Sequence, residues 1–131
     1  VKTILYIHDQ QGEVQERRRL LESSGFGVDL VADGRSALAE VQRERPDLVL
    51  LDTLLDGPNG FEICRRLRTL EHLESTPILL LAGIYRGPAY REAAMLAGAD
   101  AFLEGPVALP DLIAEITRAI ELGEREVALR S

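Results

Sequence analysis

Asp47-Leu48-Val49-Leu50-Leu51-Asp52 is the stretch on which the fold of this chain turns: four consecutive apolar residues bracketed by two acids. A run this short, apolar at every position, suits a strand covered on both faces, the usual state of strands in a parallel sheet flanked by helices. Asp52 then lies at the carboxyl tip of a buried strand. In open α/β sheets the crevice beyond those tips is where ligands and chemistry sit, so a charge delivered there asks for a functional explanation. Working outward, the run Thr3-Ile4-Leu5-Tyr6-Ile7-His8 leads to a second acid, Asp9, whereas the later strand ends bring Ala82 and Gly105, which carry no useful polar side chain.

Short β-rich runs alternate with helical periodicity five times, which predicts an α/β fold with a doubly wound, five-stranded parallel sheet. Strands are expected at about 3–8, 28–31, 48–52, 78–82 and 101–103. A first helix over 13–24 stops at Gly25, and a second follows the capping pair Asp33-Gly34, burying Ala37, Leu38 and Val41 before Pro46. A third over 60–70 sets Phe61, Cys64, Leu67 and Leu70 along one face, which makes Cys64 a core residue. The fourth spans about 89–97. The fifth starts at Pro110 and directs Leu112, Ile113, Ile116 and Ile120 inward. Beyond Gly123 the pattern fades. With no initiating Met at Val1, the chain reads as a domain taken from a longer protein: residues 1–122 form the domain and 123–131 a C-terminal tail or linker stub.

Composition narrows the function. A chain of 131 residues fits one domain, and its single cysteine excludes an internal disulfide. No stretch resembles a membrane span or a signal peptide, so a cytoplasmic location and no membrane partner are expected. The net charge of -7 opposes direct nucleic-acid binding. Arg17-Arg18-Arg19 is interleaved with Glu13, Glu16 and Glu22 and reads as a solvated helix face. The first loop has one glycine and no Lys, Gly25-Phe26-Gly27 follows a helix instead of a strand, and His8 and His72 lack partners at metal-ligand spacing. No phosphate cradle, dinucleotide turn or nucleophile elbow is present, and an enzyme is not expected.

With two acids and five βα units in place, residues 1 to about 122 resemble the receiver domain of bacterial two-component response regulators. The likeness rests on Ile4 to Asp9, on Pro46 to Asp52, on Asn59-Gly60-Phe61-Glu62, on Thr76-Pro77-Ile78 and on Ala97-Gly98-Ala99-Asp100-Ala101-Phe102-Leu103. It implies the flavodoxin-like (βα)5 receiver fold and phosphorelay signal transduction by protein contact, with Asp52 as phosphoacceptor. It also implies weak Mg²⁺ binding through Asp9, Asp52 and the backbone carbonyl of Leu54, since a carboxylate nucleophile approaching an anionic phosphoryl group needs a divalent cation. The implied partners are a sensor histidine kinase or phosphotransfer protein, a fused or separate protein output, and a second copy of the chain. Tyr85, Arg86 and Tyr90 fall where such an interface is expected, residue types that dominate binding hot spots.

Departures from the family pattern matter as much. His8 replaces the first acid, Ala82 the Ser/Thr after the fourth strand, Gly105 the Lys before Pro106, and Asp56 a usual proline. Two acids without the Lys carry the same -2 as three acids with it, so attraction for a cation persists, although a protonated His8 would compete with it. Switching suffers more. In the family the hydroxyl and ammonium draw the fourth loop and the aromatic on the fifth strand, here Phe102, into the active arrangement. Hydrogen bonds to a charged group contribute about 1.5 to 3 kcal/mol each. Swinging a two-state equilibrium from 1:99 to 99:1 takes about 5.5 kcal/mol. Losing both contacts removes most of the drive. Two readings stay open at this point: an atypical receiver with weakened switching, and a phosphorylation-independent pseudo-receiver acting as a dimerisation or docking module.

Overall fold

The computed structural model describes residues 1–8, 13–55 and 57–130. Five strands, β1 (Thr3–Ile7), β2 (Gly27–Val31), β3 (Leu48–Asp52), β4 (Ile78–Leu81) and β5 (Ala101–Leu103), alternate with five helices. The helices are α1 (Glu13–Ser23), α2 (Gly34–Arg43), α3 (Gly60–Arg68), α4 (Pro88–Leu96) and α5 (Leu109–Arg130). All strand pairs are parallel and the sheet order is β2-β1-β3-β4-β5. The expected doubly wound five-stranded sheet is therefore what forms. Its order reverses between β1 and β3: the chain steps outward to β2, then crosses back to the other side of β1. That reversal opens a crevice beyond the tips of β1 and β3.

Alternation along the strands divides the core into two layers. Leu5, Ile7, Val49, Leu51, Ile78, Leu80 and Phe102 pack on one face against Ala37 and Val41 of α2, Ile63, Cys64 and Leu67 of α3, and Ala94 of α4. Ile4, Tyr6, Leu48, Leu50, Leu79 and Leu81 pack on the other against Val14 and Leu21 of α1 and Leu112, Ile116 and Ile120 of α5. Leu48 through Leu51 are completely buried, which is why that run carries no polar position. Burying one such side chain contributes about 1.5–3 kcal/mol.

Local chemistry sets the helix starts. Asp33 accepts a hydrogen bond from the Ser36 amide at 2.7 Å, and Asn59 accepts one from the Glu62 amide at 3.1 Å. Gly60 opens α3 because nothing larger fits: a Cβ there would lie 2.7 Å from the Thr53 Cα and closer still to the Asp52 carbonyl oxygen. At the opposite end of the sheet, the Arg68 guanidinium donates to the carbonyls of Leu73, Thr76 and Gly98 and to Asp100. Asp100 also accepts from the Ile78 amide at 2.8 Å, so the segment before β5 is tied to the start of β4.

Three expectations meet a different structure. The helices and strands shift by a residue or two, and α5 runs unbroken to Arg130 instead of fading after Gly123. Gly123 does not stop the helix. It lets α5 approach the segment before β4, since a Cβ there would meet the Ser75 carbonyl oxygen at 3.0 Å and Pro77 Cδ at 3.3 Å. Ion pairs from Lys2 to Glu124 and from Arg130 to Glu74, both 3.2 Å, hold the extension. Of the Arg17–Arg19 run only Arg19 is exposed, pairing with Glu16 at 3.0 Å; Arg17 and Arg18 are half-buried, and Arg17 reaches in to donate to the Tyr6 hydroxyl at 3.1 Å, so the run is less solvated than expected.

Two measurements check this packing. Gly60→Ala should lower unfolding stability by about 1–3 kcal/mol in urea titration, the usual cost of overpacking. Cys64 is fully buried, its Sγ 3.5 Å from the Ala97 carbonyl oxygen, and burial pushes its thiol up to about 11. Alkylation at neutral pH should accordingly be slow in the folded chain and fast once denaturant is added, because the thiolate is the reactive form.

Candidate functional site

The buried β3 ladder delivers Asp52 to the sheet tip with its backbone pinned on both sides. The Thr53 amide donates to the Leu81 carbonyl at 3.2 Å and the Gly60 amide to the Thr53 carbonyl at 2.9 Å. Asp52 is only 8% exposed, and its Oδ1 lies 3.5 Å from the Leu54 amide. Its other carboxylate oxygen faces His8, whose Nε2 is 3.3 Å away. His8 follows β1 directly; its amide donates to the Val31 carbonyl at 3.0 Å, and its ring meets the Tyr6 ring edge-on with centroids 5.7 Å apart. His8 is thus a partner of Asp52, as its place in the altered acidic pocket leads one to expect. The contact forms because β1 and β3 are neighbours in register, Ile7 beside Leu51, so the residues that follow them meet at the tip. Below them, burial pushes the Tyr6 phenol upward, opposed by the nearby Arg17 guanidinium.

Asp9 and Asp56 lie outside the described residues, so the acid pair and the altered loop have no structural account. Among the described residues no group of three or more His, Cys, Asp and Glu side chains is arranged to hold a metal ion. What the crevice does offer is one carboxylate, Asp52, with the main chain of Leu54 two residues on. Such oxygen donors suit Mg²⁺, whereas the imidazole that faces the carboxylate is a poor ligand for it. The donor chemistry of these described residues fits Mg²⁺.

The switch positions are separated from Asp52 by chemistry as well as by sequence. Ala82 is fully buried and takes part through its backbone: its carbonyl accepts from the Thr53 hydroxyl at 2.9 Å and from the Tyr85 amide at 3.0 Å. Thr53 escaped the sequence reading, although a hydroxyl inside an apolar segment is a signal that some buried acceptor needs it. Gly83 escaped it too. It turns the loop after β4 with φ +62°, and a Cβ there would stand 3.8 Å from Asp52 Oδ1 and 3.4 Å from the Thr53 hydroxyl. The Gly83 backbone thus lies within van der Waals reach of the carboxylate.

Phe102 is 3% exposed and enclosed. Its ring lies 6.0 Å from that of Phe61, the Arg91 guanidinium carbon sits 5.9 Å above it, and Arg91 Nη1 donates to its carbonyl at 3.3 Å. Tyr85 and Tyr90 complete this aromatic group, with centroids 4.8 Å apart and both close to Phe61. Tyr85 is partly buried there, while Tyr90 remains exposed, so of the three residues expected at an interface Arg86 and Tyr90 are the exposed ones. Gly105, beyond β5, has φ +70° and stands beside the guanidinium of Arg86.

No helix among the described residues is long and apolar enough to cross a membrane. Comparison with known proteins places this geometry. The chain is 37% identical over 113 residues to the response regulator MprA of Mycolicibacterium vanbaalenii, covering 86% of this chain and 48% of that protein. It is 34% identical over 125 residues to the phosphate regulon transcriptional regulatory protein PhoB of Rhizobium meliloti, covering 95% and 54%. The chain thus spans about half the length of the curated relatives it matches. Among solved structures, the CheY-like response regulator receiver domain protein of Methanospirillum hungatei superposes with a TM-score of 0.88 at 26% identity, covering 96% of this chain and 98% of that one. Chemotaxis protein CheY4 of Vibrio cholerae gives 0.85 at 28% identity, covering 91% and 98%. The family model described as response regulator receiver domain matches residues 4–117. A match that runs from the first turn of the sheet into α5 makes this chain a member of the response regulator receiver domain family.

Proposed function

We propose that this receiver domain of a two-component response regulator carries its phosphoacceptor at Asp52 and relays its state by protein contact, with a conformational response weaker than the family's usual one. The observation that carries the reading is the Asp52 carboxylate at the β1/β3 reversal, held by the buried β3 ladder and flanked by the Gly83 backbone. The donor is a phosphohistidine on a sensor histidine kinase or phosphotransfer protein. A carboxylate oxygen of Asp52 attacks phosphorus, the bond from phosphorus to the donor nitrogen breaks with its electron pair staying on nitrogen, and an acyl phosphate results. Asp9, Asp52 and the Leu54 carbonyl would hold Mg²⁺, which neutralises charge between carboxylate and phosphoryl group. The chain's own residues bind and orient; no side chain is asked to move a proton.

Residues 1–122 are the receiver unit, and 123–130 are a helical extension of α5 towards the output, which is a fused domain or a separate protein. A second copy meeting through the Tyr90 face is the proposed form of self-association. The cytoplasm is the proposed location.

The pseudo-receiver reading draws support from three observations. His8 Nε2 lies 3.3 Å from the nucleophile, Ala82 and Gly105 offer no polar side chain, and Phe102 is already enclosed. A domain built this way holds one conformation and works as a docking or dimerisation element.

Two experiments separate the readings. Incubation with Mg²⁺ and acetyl phosphate should yield a phosphoryl adduct by mass spectrometry that disappears in Asp52→Ala; an unlabelled chain, under conditions that label a common receiver, favours the pseudo-receiver. For the second, amide chemical shifts are recorded with and without beryllofluoride. Shifts near Asp52 should change while those of Tyr85, Arg91 and Phe102 stay nearly in place, and large movements there would contradict weakened switching.

A further inference from the structure

A phosphorylated Asp52 gathers more negative charge than the carboxylate alone, and a cation beside it would stabilise the transferred group. The loop after β4 supplies a candidate. Gly83 starts that loop beside Asp52, a Cβ there being 3.8 Å from Oδ1, and the Tyr85 amide closes it onto the Ala82 carbonyl at 3.0 Å. The next residue is Arg86. Its guanidinium crosses to the tip of β5 and lies over Gly105, where a Cβ would come 3.3 Å from Nη1 and 3.6 Å from Nη2. Gly105 adopts φ +70°, a conformation L side chains rarely take, so both its backbone and its missing side chain leave that space to Arg86.

The charge of Arg86 is also uncommitted. Among the described residues it forms no ion pair: the acid next to Gly105, Glu104, is bonded to Arg91 at 2.8 Å instead. A guanidinium stays charged at any working pH and presents paired N–H donors that match two oxygens of a phosphoryl group. From the shared geometry of Gly83, Arg86 and Gly105, we infer that Arg86 is the phosphoryl-binding cation of this domain, reaching over Gly105 from the β4–α4 loop to the group carried by Asp52. This rests on Asp52 as the phosphoacceptor. It names the contact that holds the transferred group, while the nucleophile remains Asp52: phosphorus bonds to the carboxylate oxygen, and the acetate of acetyl phosphate leaves with the bonding electrons.

The test compares the full chain with Arg86→Gln and Arg86→Lys, each with Mg²⁺ and acetyl phosphate, following adduct formation and adduct lifetime by mass spectrometry and beryllofluoride affinity by titration. Loss of a charge-assisted hydrogen bond corresponds to roughly a ten- to hundredfold change. Arg86→Gln should lose that much in labelling rate and beryllofluoride affinity, and Arg86→Lys should recover part of both. Affinity in the unaltered chain should weaken with added salt, and less so in Arg86→Gln. Circular dichroism identifies a variant that fails to fold, and the salt dependence of the unaltered chain then decides alone, a flat response overturning the inference. Labelling of the unaltered chain together with an unimpaired Arg86→Gln overturns the role of Arg86 and leaves Asp52 standing. No labelling of the unaltered chain overturns the phosphoacceptor reading and this one with it.

Discussion

Burial of β3 on both faces is the constraint from which the site follows. Leu48 and Leu50 face α1 and α5, Val49 and Leu51 face α2 and α3, and none of the four touches water. Each side chain would lose about 1.5–3 kcal/mol of transfer free energy if the strand slipped out. A slip of one residue would also exchange the two faces. The register of β3 is therefore among the most strongly specified features of the molecule, and Asp52 inherits that certainty of position. Gly60 extends the constraint into the third dimension: α3 starts so close to the Asp52 carbonyl that the backbone around the carboxylate is clasped between strand and helix.

Against that fixed carboxylate, its neighbours pull in different directions. His8 at 3.3 Å occupies one carboxylate oxygen, and a phosphoryl donor or a cation has to compete with it. The Gly83 backbone flanks the carboxylate's other oxygen. Further out, Phe102 sits under Arg91 and against Phe61, contacts already made in the resting fold. A ring with its contacts in place gains little by moving, so the aromatic layer resists the kind of displacement by which phosphorylation would be read at a distance. Chemistry at Asp52 and communication from it are separable properties here, and the residues that govern them lie on different strands.

The architecture was legible because it rests on repetition. Apolar runs at strand spacing, Asp33 as a helix cap, and Cys64 on a buried face each follow from side-chain pattern alone, and each is where the pattern predicts. The sheet order was reached through likeness to a family, because periodicity by itself does not say which strands adjoin. Contacts between elements were the hidden part. The placement of Arg86 over Gly105 joins two loops far apart in the sequence, and no side-chain pattern announces it. Gly123 shows the same limit beside Gly25. A glycine that ends one helix and a glycine that lets another helix lie against a carbonyl are the same letter, and only the Ser75 oxygen at 3.0 Å from its notional Cβ distinguishes them.

That last contact gives α5 a mechanical character. With 22 residues at 1.5 Å each the helix is a rod of about 33 Å, and its first three turns are rooted in the core through Leu112, Ile116 and Ile120. Gly123 rests on the segment before β4 and so acts as a fulcrum. Beyond it, the Arg130–Glu74 pair latches the outer arm to the same segment, and a bridge this exposed is worth only about 0.2–1 kcal/mol. A slight torsion of the strand-leading segment at Ser75 to Pro77 would sweep the outer turns through a wider arc, and modest ionic strength is enough to slip the latch.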